Sequence, residues 1–452
     1  MHNPYLPYYK RNLIVAIPVM LSQLGQVLVQ QVDNMMVGVL GTVELAAAAF
    51  ANSVFVIGMI IGMGFSFGLT PLVGHAWSAK NYSLTGKLLR NSMVLNTAVA
   101  LIISIAMIGV SFFFHLMGQP PEVVELAIPY YQILVVSFLP FLWFFTFKQF
   151  AEGLGDTMHA MVITLGANLV NILLNYVLIF GHWGFDSYGL NGAGIATLIA
   201  RLAMPTAFFF VLRHRKSFRK YWIYTLKSSL DWVSARKLIK VGSPISMQML
   251  LEVVAFSLTA IMAGWLGVIP LAAHQIAIGL ASVTFMIVTG ISSGTTIRVS
   301  HQYSQGDFFG LKRAAYASIH LVWVFMSFTA VVFVLFRNQL PELYSQDTQV
   351  IYLASNLLIM AAIFQLFDGT QVVVLGALRG LADVKHAMIY SFVSYILISL
   401  PLAYLFAFVF HWGVVGLWVG LIGGLMSAAI LFYSRFRVLY KTLLPSKKTN
   451  LT

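Results

Sequence analysis

Gly153 to Met161 reads GLGDTMHAM, and 227 positions later Gly380 to Met388 reads GLADVKHAM. Other matches recur at almost the same separation. At an offset of 226, Pro18, Gly41, Gly64, Ser66, Gly68 and His75 meet Pro244, Gly267, Gly290, Ser292, Gly294 and His301. Farther on, His182-Trp183-Gly184 meets His411-Trp412-Gly413. The chain reads as a duplication, so whatever one half is, the other half is the same kind of object.

Composition says what that object is. Hydrophobic residues make up 59% and charged residues 9%, against about 45–50% and about 25% in soluble domains. A soluble fold with so few charges would leave large apolar areas in water, whereas lipid removes that cost. Apolar runs stand near 13–39, 48–74, 92–114, 127–147, 159–181, 190–212, 239–266, 275–297, 315–336, 350–378, 386–410 and 413–434. Each is about 20 residues or more, enough to cross a hydrocarbon core of roughly 30 Å. The fold class is therefore an all-α membrane protein with twelve transmembrane helices in two six-helix bundles. The expected domains are a bundle over 1–212, a basic linker over 213–238 and a second bundle over 239–452 with a short basic tail.

Charge sets the expected orientation. Of the 27 Lys and Arg residues, 25 fall on one face of this map, Arg337 alone falls on the other, and Arg201 lies inside a span. The positive-inside rule then puts both termini in the cytoplasm. Six spans per half is an even number, so the halves enter the membrane in the same direction. Such parallel repeats are typical of secondary transporters, whose bundles rock around a site between them. The segment Leu230 to Lys240 is expected to form an interfacial amphipathic helix. The basic loops are read as topology signals beside anionic lipid rather than as a nucleic-acid surface. The zero cysteine count excludes disulfides and thiolate metal sites. The first apolar run, too long for a signal h-region, gives no sign of a cleavable leader.

The few polar residues inside spans point to function. Three of the fourteen acids fall there: Asp33 in the first span, Glu252 in the seventh and Asp368 in the tenth. A carboxylate at the bilayer centre costs about 2.5–3.5 kcal/mol, so three without a role would be costly. Glu252 lies about 18 Å into its span at roughly 1.5 Å per residue, near the midplane, and Asp368 lies about as deep. Both belong to the C-terminal half and could share a cavity. Desolvated carboxyls of this kind load and release protons, or offer hard oxygen ligands to Na⁺. In the other half, Asn168, Asn171 and Asn175 follow the 3–4 spacing of one helix face. Thr197 has Ala193 one turn before it and Arg201 one turn after it. Met249, Phe256, Phe285, Met286, Phe364 and Phe367 are candidate cavity residues for flat lipophilic cations, through stacking and cation–π contact.

Several chemistries drop out. Gly64–Gly68 and Gly290–Gly294 both match GxSxG, but they sit in apolar helices without the strand–turn–helix context of a hydrolase. Close helix packing explains them better. HExxH, Walker A and dinucleotide fingerprints are missing from the sequence. No catalytic residue and no cofactor is expected beyond a coupling ion, Na⁺ or H⁺.

These residues resemble the NorM branch of the multidrug and toxic compound extrusion (MATE) family. The likeness rests on Val32-Asp33-Asn34-Met35-Met36-Val37-Gly38, Ala272-Ala273-His274-Gln275, the run Ser292 to His301, and the turns Arg379-Gly380 and Gly153-Leu154-Gly155-Asp156-Thr157. It covers about residues 10–440. The resemblance implies a MATE/MOP-type fold and an antiporter of the bacterial inner membrane, acting as a monomer. It would export cationic drugs in exchange for Na⁺ or H⁺, a route to antibiotic resistance. By the same resemblance Glu252 and Asp368 form a C-lobe cation site. Asp33, Asn171, Asn175 and Thr197, with the Ala193 carbonyl, form an N-lobe site. One departure stands out: Phe364 occupies the position where a Na⁺-coupled relative carries tyrosine. The rival readings are a lipid-linked oligosaccharide flippase of the same superfamily, which needs a cationic cavity, and an intramembrane enzyme, which needs a nucleophile–base pair or a metal cluster.

Overall fold

The computed structural model describes residues 4–444. Twelve helices are long and apolar enough to span a membrane: α1 (Leu6–Gly38), α2 (Thr42–Ser78), α3 (Tyr82–Ser111), α4 (Pro121–Gly153), α5 (Met158–Phe180), α6 (Gly189–His214), α7 (Trp232–Trp265), α8 (Val268–Ser304), α9 (Phe308–Leu335), α10 (Thr348–Gly380), α11 (Val384–Val409) and α12 (Gly413–Leu443). Each expected span has its helix, and no strand occurs among the described residues. Many helices outrun their apolar centres, and that extension brings Lys148, Glu152, Arg298 and Arg379 inside helices. Arg201 is thus not the one basic group within these helices, and Glu44, Glu122, Glu125 and Glu152 lie within them as well as Asp33, Glu252 and Asp368. The final basic residues of the tail, Lys447 and Lys448, lie outside the described residues.

The duplication is visible at the level of single hydrogen bonds. Asn81 caps α3 by accepting from the Leu84 amide, and Asp307, 226 positions on, caps α9 by accepting from Gly310. Thr70 donates to the Gln149 carbonyl at 3.2 Å, and Thr296 donates to the Gly376 carbonyl at 2.8 Å. The Trp143 indole donates to Thr97 at 2.9 Å, while Trp323 donates to Thr370 at 2.9 Å. In repeat coordinates that pair has swapped partners: tryptophan sits on α4 in one half and on α9 in the other. The contact has outlasted its residues, which marks it as part of the shared helix geometry.

The chain divides into two compact units, Leu21–Leu250 and Met1–Met20 with Leu251–Thr452. These dividing points lie inside α1 and α7, whereas the sequence suggested the linker. Glycines explain how. In the first unit a Cβ on Gly64 would lie 2.6 Å from Ser246 Cα, and one on Gly68 would lie 2.7 Å from Gly242 Cα. The opening half of α7 therefore lies against α2, and Ser246 donates to the Ile61 carbonyl at 2.7 Å. In the second unit Gly290 would meet Met20 N at 2.8 Å and Gly294 would meet Ala16 Cβ at 3.2 Å. Here the opening half of α1 lies against α8. The two GxSxG matches are these packing faces, as expected of small residues in membrane helices.

The linker corrects one expectation. Its amphipathic helix is Lys216–Lys227, with Phe218, Tyr221 and Thr225 buried and Lys216, Arg219, Lys220 and Lys227 exposed. Leu230–Lys240 instead opens α7, because Asp231 accepts from Ser234 N and Ser234 Oγ and so starts that helix. The Ser234 hydroxyl, followed by backbone amides, holds the Asp231 carboxyl below the usual range. Replacing Gly64 or Gly290 by Leu is expected to lower the thermal midpoint in detergent, as overpacking of about 1–3 kcal/mol does. Gly109→Leu, with nothing within 4 Å of its Cβ position, should leave the midpoint unchanged.

Candidate functional site

In the first unit, α1, α5 and α6 bring together a carboxylate and three polar side chains. Asn175 Nδ2 donates to Asp33 Oδ1 and also lies 3.3 Å from Asn171 Oδ1. Asn171 Nδ2 in turn reaches Thr197 Oγ1 at 3.4 Å. The 3–4 spacing of asparagines on α5 thus becomes a hydrogen-bonded chain from Asp33 to α6. Asn168 is buried on the same face, and a Cβ on Gly25 of α1 would lie 3.2 Å from its Nδ2. Ala193 is buried one turn before Thr197. Arg201 is sandwiched between Phe55 and Phe141, at 5.0 and 4.9 Å, and donates to Ser137 Oγ at 2.7 Å. It is close enough to Asp33 for the two charges to interact. Tyr130, absent from the sequence reading, joins this group: Asp33 and Arg201 both act on it, and Asn52 donates to its hydroxyl at 3.4 Å. Asn52 also lines a cavity of about 710 Å³ with Gln30, Gln31, Asn34, Met35 and Ser53.

In the second unit, Glu252 on α7 acts electrostatically on Asp368 on α10. Asp368 is 3% exposed and accepts from Gln371 Nε2 at 3.3 Å. Phe364 is buried one turn before it, edge-on to Phe256 at 6.1 Å and to Trp418 at 5.3 Å. Phe367 packs partly buried in the same cluster. Phe285 packs with Val288, Ile291 and Met20 in a separate aliphatic cluster, because its helix is turned there toward α1. Met249 lies one turn before Glu252 on α7, just ahead of the dividing point between the units. Met286 is partly exposed, and its carbonyl accepts from Thr289.

Sequence reasoning missed Tyr395. Glu252 acts electrostatically on Tyr395 and on Arg379 at the end of α10, and the Tyr395 hydroxyl makes no hydrogen bond among the described residues. The repeat held the signal, because Tyr395 stands 227 positions after Asn168. One faces Gly25 on α1 and the other faces its near-equivalent, Glu252, on α7. Tyr395 is buried on α11 in the same cluster as Phe364, with Glu252 acting on it. Lys148 and Glu152 form a fourth charged feature, an ion pair at 3.9 Å with side chains 3% and 2% exposed. No group of three or more His, Cys, Asp or Glu occurs among the described residues. A cation here would meet one or two carboxylates completed by amide and hydroxyl oxygens, a hard-ligand set. Asn175→Leu is expected to destabilise the protein by about 1.5–3 kcal/mol, the scale of a hydrogen bond to a charged group. Thermal midpoints should show the loss, and adding Asp33→Asn should recover part of it.

The MatE family model matches residues 18–177 and again 244–405, once in each repeat. The probable multidrug resistance protein NorM of Rhizobium meliloti (strain 1021) is 33% identical over 439 residues, spanning 96% of this chain and 94% of that protein. The probable NorM of Xylella fastidiosa (strain 9a5c) is 32% identical, over 94% of this chain and 91% of its own length. Among solved structures, a MATE protein in its bent conformation aligns with a TM-score of 0.89 at 21% identity, over 98% and 99% of the two chains. A MOP-superfamily transporter from Pyrococcus furiosus aligns at 0.83 and 23% identity, over 96% of each chain; its reversed pocket polarity is described as suggesting a different function. These structures share the fold. With the family model matched in both halves and relatives aligned over nearly the whole length, the chain belongs to the MatE (multidrug and toxic compound extrusion) family of secondary transporters, in its NorM-like branch.

Proposed function

We propose that this protein is a multidrug efflux antiporter of the bacterial inner membrane, exporting lipophilic organic cations in exchange for Na⁺ or H⁺. The observation that carries the reading is the pair Glu252 and Asp368, two carboxylates acting on each other in an apolar helix bundle. Two like charges in a dry site repel, and one shared cation relieves both. The ion and a cationic drug thus compete for the same negative charge, which supplies the differential affinity that coupling requires. In the alternating-access cycle, the outward state loads the ion, the inward state releases it, and the emptied carboxylates attract the drug.

The remaining assignments support this cycle. Asp33 with Asn175, Asn171 and Thr197 forms a second cation site, and the Ala193 carbonyl is available one turn away. The amide-lined cavity beside Asn52 suits a flat molecule with polar edges. Charge asymmetry supports cytoplasmic termini. The flippase reading calls for a cationic pocket, and the Pyrococcus furiosus neighbour illustrates that pocket sign matters. Here acids line both candidate sites.

Ethidium or norfloxacin efflux from proteoliposomes tests the proposal. Asp368→Asn and Glu252→Gln should each lower the efflux rate by roughly tenfold or more, about 1.4 kcal/mol or more of coupling. Wild-type rates in both variants would refute the mechanism. Imposing a Na⁺ gradient and then a pH gradient on the wild type identifies the coupling ion, since only that gradient accelerates efflux.

A further inference from the structure

The basic linker between the halves takes no part in the candidate cation sites. From Arg213 to Lys240 it carries nine basic residues and a single acid, Asp231, whose carboxylate is taken up by Ser234 and the Val233 amide. No ion pair among the described residues involves this segment. The linker helix Lys216–Lys227 starts two residues after spanning helix α6 ends at His214, and spanning helix α7 follows at Trp232. Its place is therefore the membrane surface. Contacts hold it there. A Cβ on Gly86 of α3 would lie 2.7 Å from Thr225 N, Arg90 Nη1 donates to the Leu226 carbonyl at 3.3 Å, and Asp231 N donates to Asn91 Oδ1 at 3.1 Å.

The spacing of side chains sorts this helix into faces. Phe218, Tyr221 and Thr225 follow the 3–4 stagger that stacks residues on one side, and they form its buried stripe, with Tyr221 edge-on to Tyr82 of α3 at 5.8 Å. Arg219, Ile223 and Leu226 follow the same stagger on the neighbouring flank and stay exposed, Leu226 at 60%. Lys216 and Lys220 lie next to that flank. Lys220 stands over the rings of Tyr82 and Tyr221, at 4.2 and 4.9 Å, which leaves exposed Lys216 and Arg219 as the outward cations. The apolar part of the flank runs on to the lipid-facing surface of α6. Trp222 is edge-on to Phe209 at 5.3 Å, and Phe209 is edge-on to Phe210, itself 55% exposed on that spanning helix. Trp232, 72% exposed at the start of α7, stands one turn from Arg236. Tryptophan and basic residues gathered in this way mark the level of lipid headgroups.

We propose that the Arg219–Ile223–Leu226 flank of the linker helix, with Lys216, is a docking surface for an anionic phospholipid of the leaflet on the linker side. The lipid phosphate meets Arg219 and Lys216, while its acyl chains lie against Ile223, Leu226 and the Trp222–Phe209–Phe210 rings. A zwitterionic lipid fits less well, because its own ammonium would stand among these cations and Asp231 is already engaged. Each basic side chain near a membrane surface favours anionic lipid by about fivefold in affinity. The surface is separate from the transport cycle proposed above and does not rest on it.

The chain has no cysteine, so a bimane fluorophore on Leu226→Cys reports this flank alone. The full chain is reconstituted in phosphatidylcholine vesicles with a small fraction of lipid spin-labelled near the headgroup, either phosphatidylglycerol or phosphatidylcholine. Spin-labelled phosphatidylglycerol should quench the fluorophore at a mole fraction roughly fivefold lower than spin-labelled phosphatidylcholine, the scale of one engaged cation. Ile105→Cys, 71% exposed on α3 and about 35 Å along that helix from Tyr82, is the control and should show no preference. Adding Lys216→Gln and Arg219→Gln should abolish the preference at position 226, whereas Lys216→Arg with Arg219→Lys should keep it. Equal quenching by the two lipids at position 226 overturns the site. So does an equal preference at positions 226 and 105, which would mean diffuse attraction to a chain of net charge +13. A preference that survives the loss of both cations overturns it as well.

Discussion

The close approach of helices at Gly64–Gly68 and Gly290–Gly294 is the contact on which the arrangement depends. Lipid offers apolar helices no hydrophobic reason to associate, so packing at short range has to supply it. At these glycines the backbones of α2 and α7, and of α8 and α1, come within the reach of a single methyl group. As a result α1 and α7 each spend one half in one unit and one half in the other. The acids of these helices lie in their second halves: Asp33 follows the dividing point on α1, and Glu252 follows it on α7.

Given that scaffold, the two units have specialised differently from the same plan. The position of Asp368 on α10 corresponds to Phe141 on α4, which stacks on Arg201. The position of Glu252 corresponds to Gln26, and that of Asp33 to Thr259, whose hydroxyl bonds its own helix at the Ala255 carbonyl. Thus no acid site is duplicated, although the caps and the Trp–Thr bond are. One unit holds a carboxylate with asparagines and an aromatic-clamped arginine, and the other holds a carboxylate pair with a tyrosine. Shared contacts are those that hold helices together, and divergent ones are those around the intramembrane carboxylates.

Much of this was legible in the residues, for identifiable reasons. Spans are readable because lipid demands a long apolar run, and a duplication doubles each signal. The intramembrane acids stand out because any charge there is expensive. Lys148 and Glu152 escaped notice because they sit at the end of an apolar run, where a loop and a buried helix turn look alike. Phe285 was misplaced because an aromatic near an acid in register is not thereby on the same helix face. Tyr395 was missed because a tyrosine in an apolar span signals nothing until its neighbour is known.

The amino-acid sequence by itself determined the helix count, the duplication, the expected orientation and the identity of the carboxylates. Each follows from local patterns or from residue-by-residue comparison of the halves. Only the tertiary structure decided that the units divide inside α1 and α7, that Arg201 lies between two phenylalanines, and that Asn175 rather than Arg201 bonds Asp33. The physical reason is that a span's existence depends on transfer from water to lipid, which a single helix settles alone. Which polar atoms meet depends on the rotation and spacing of several helices, and here close glycine contacts set that spacing.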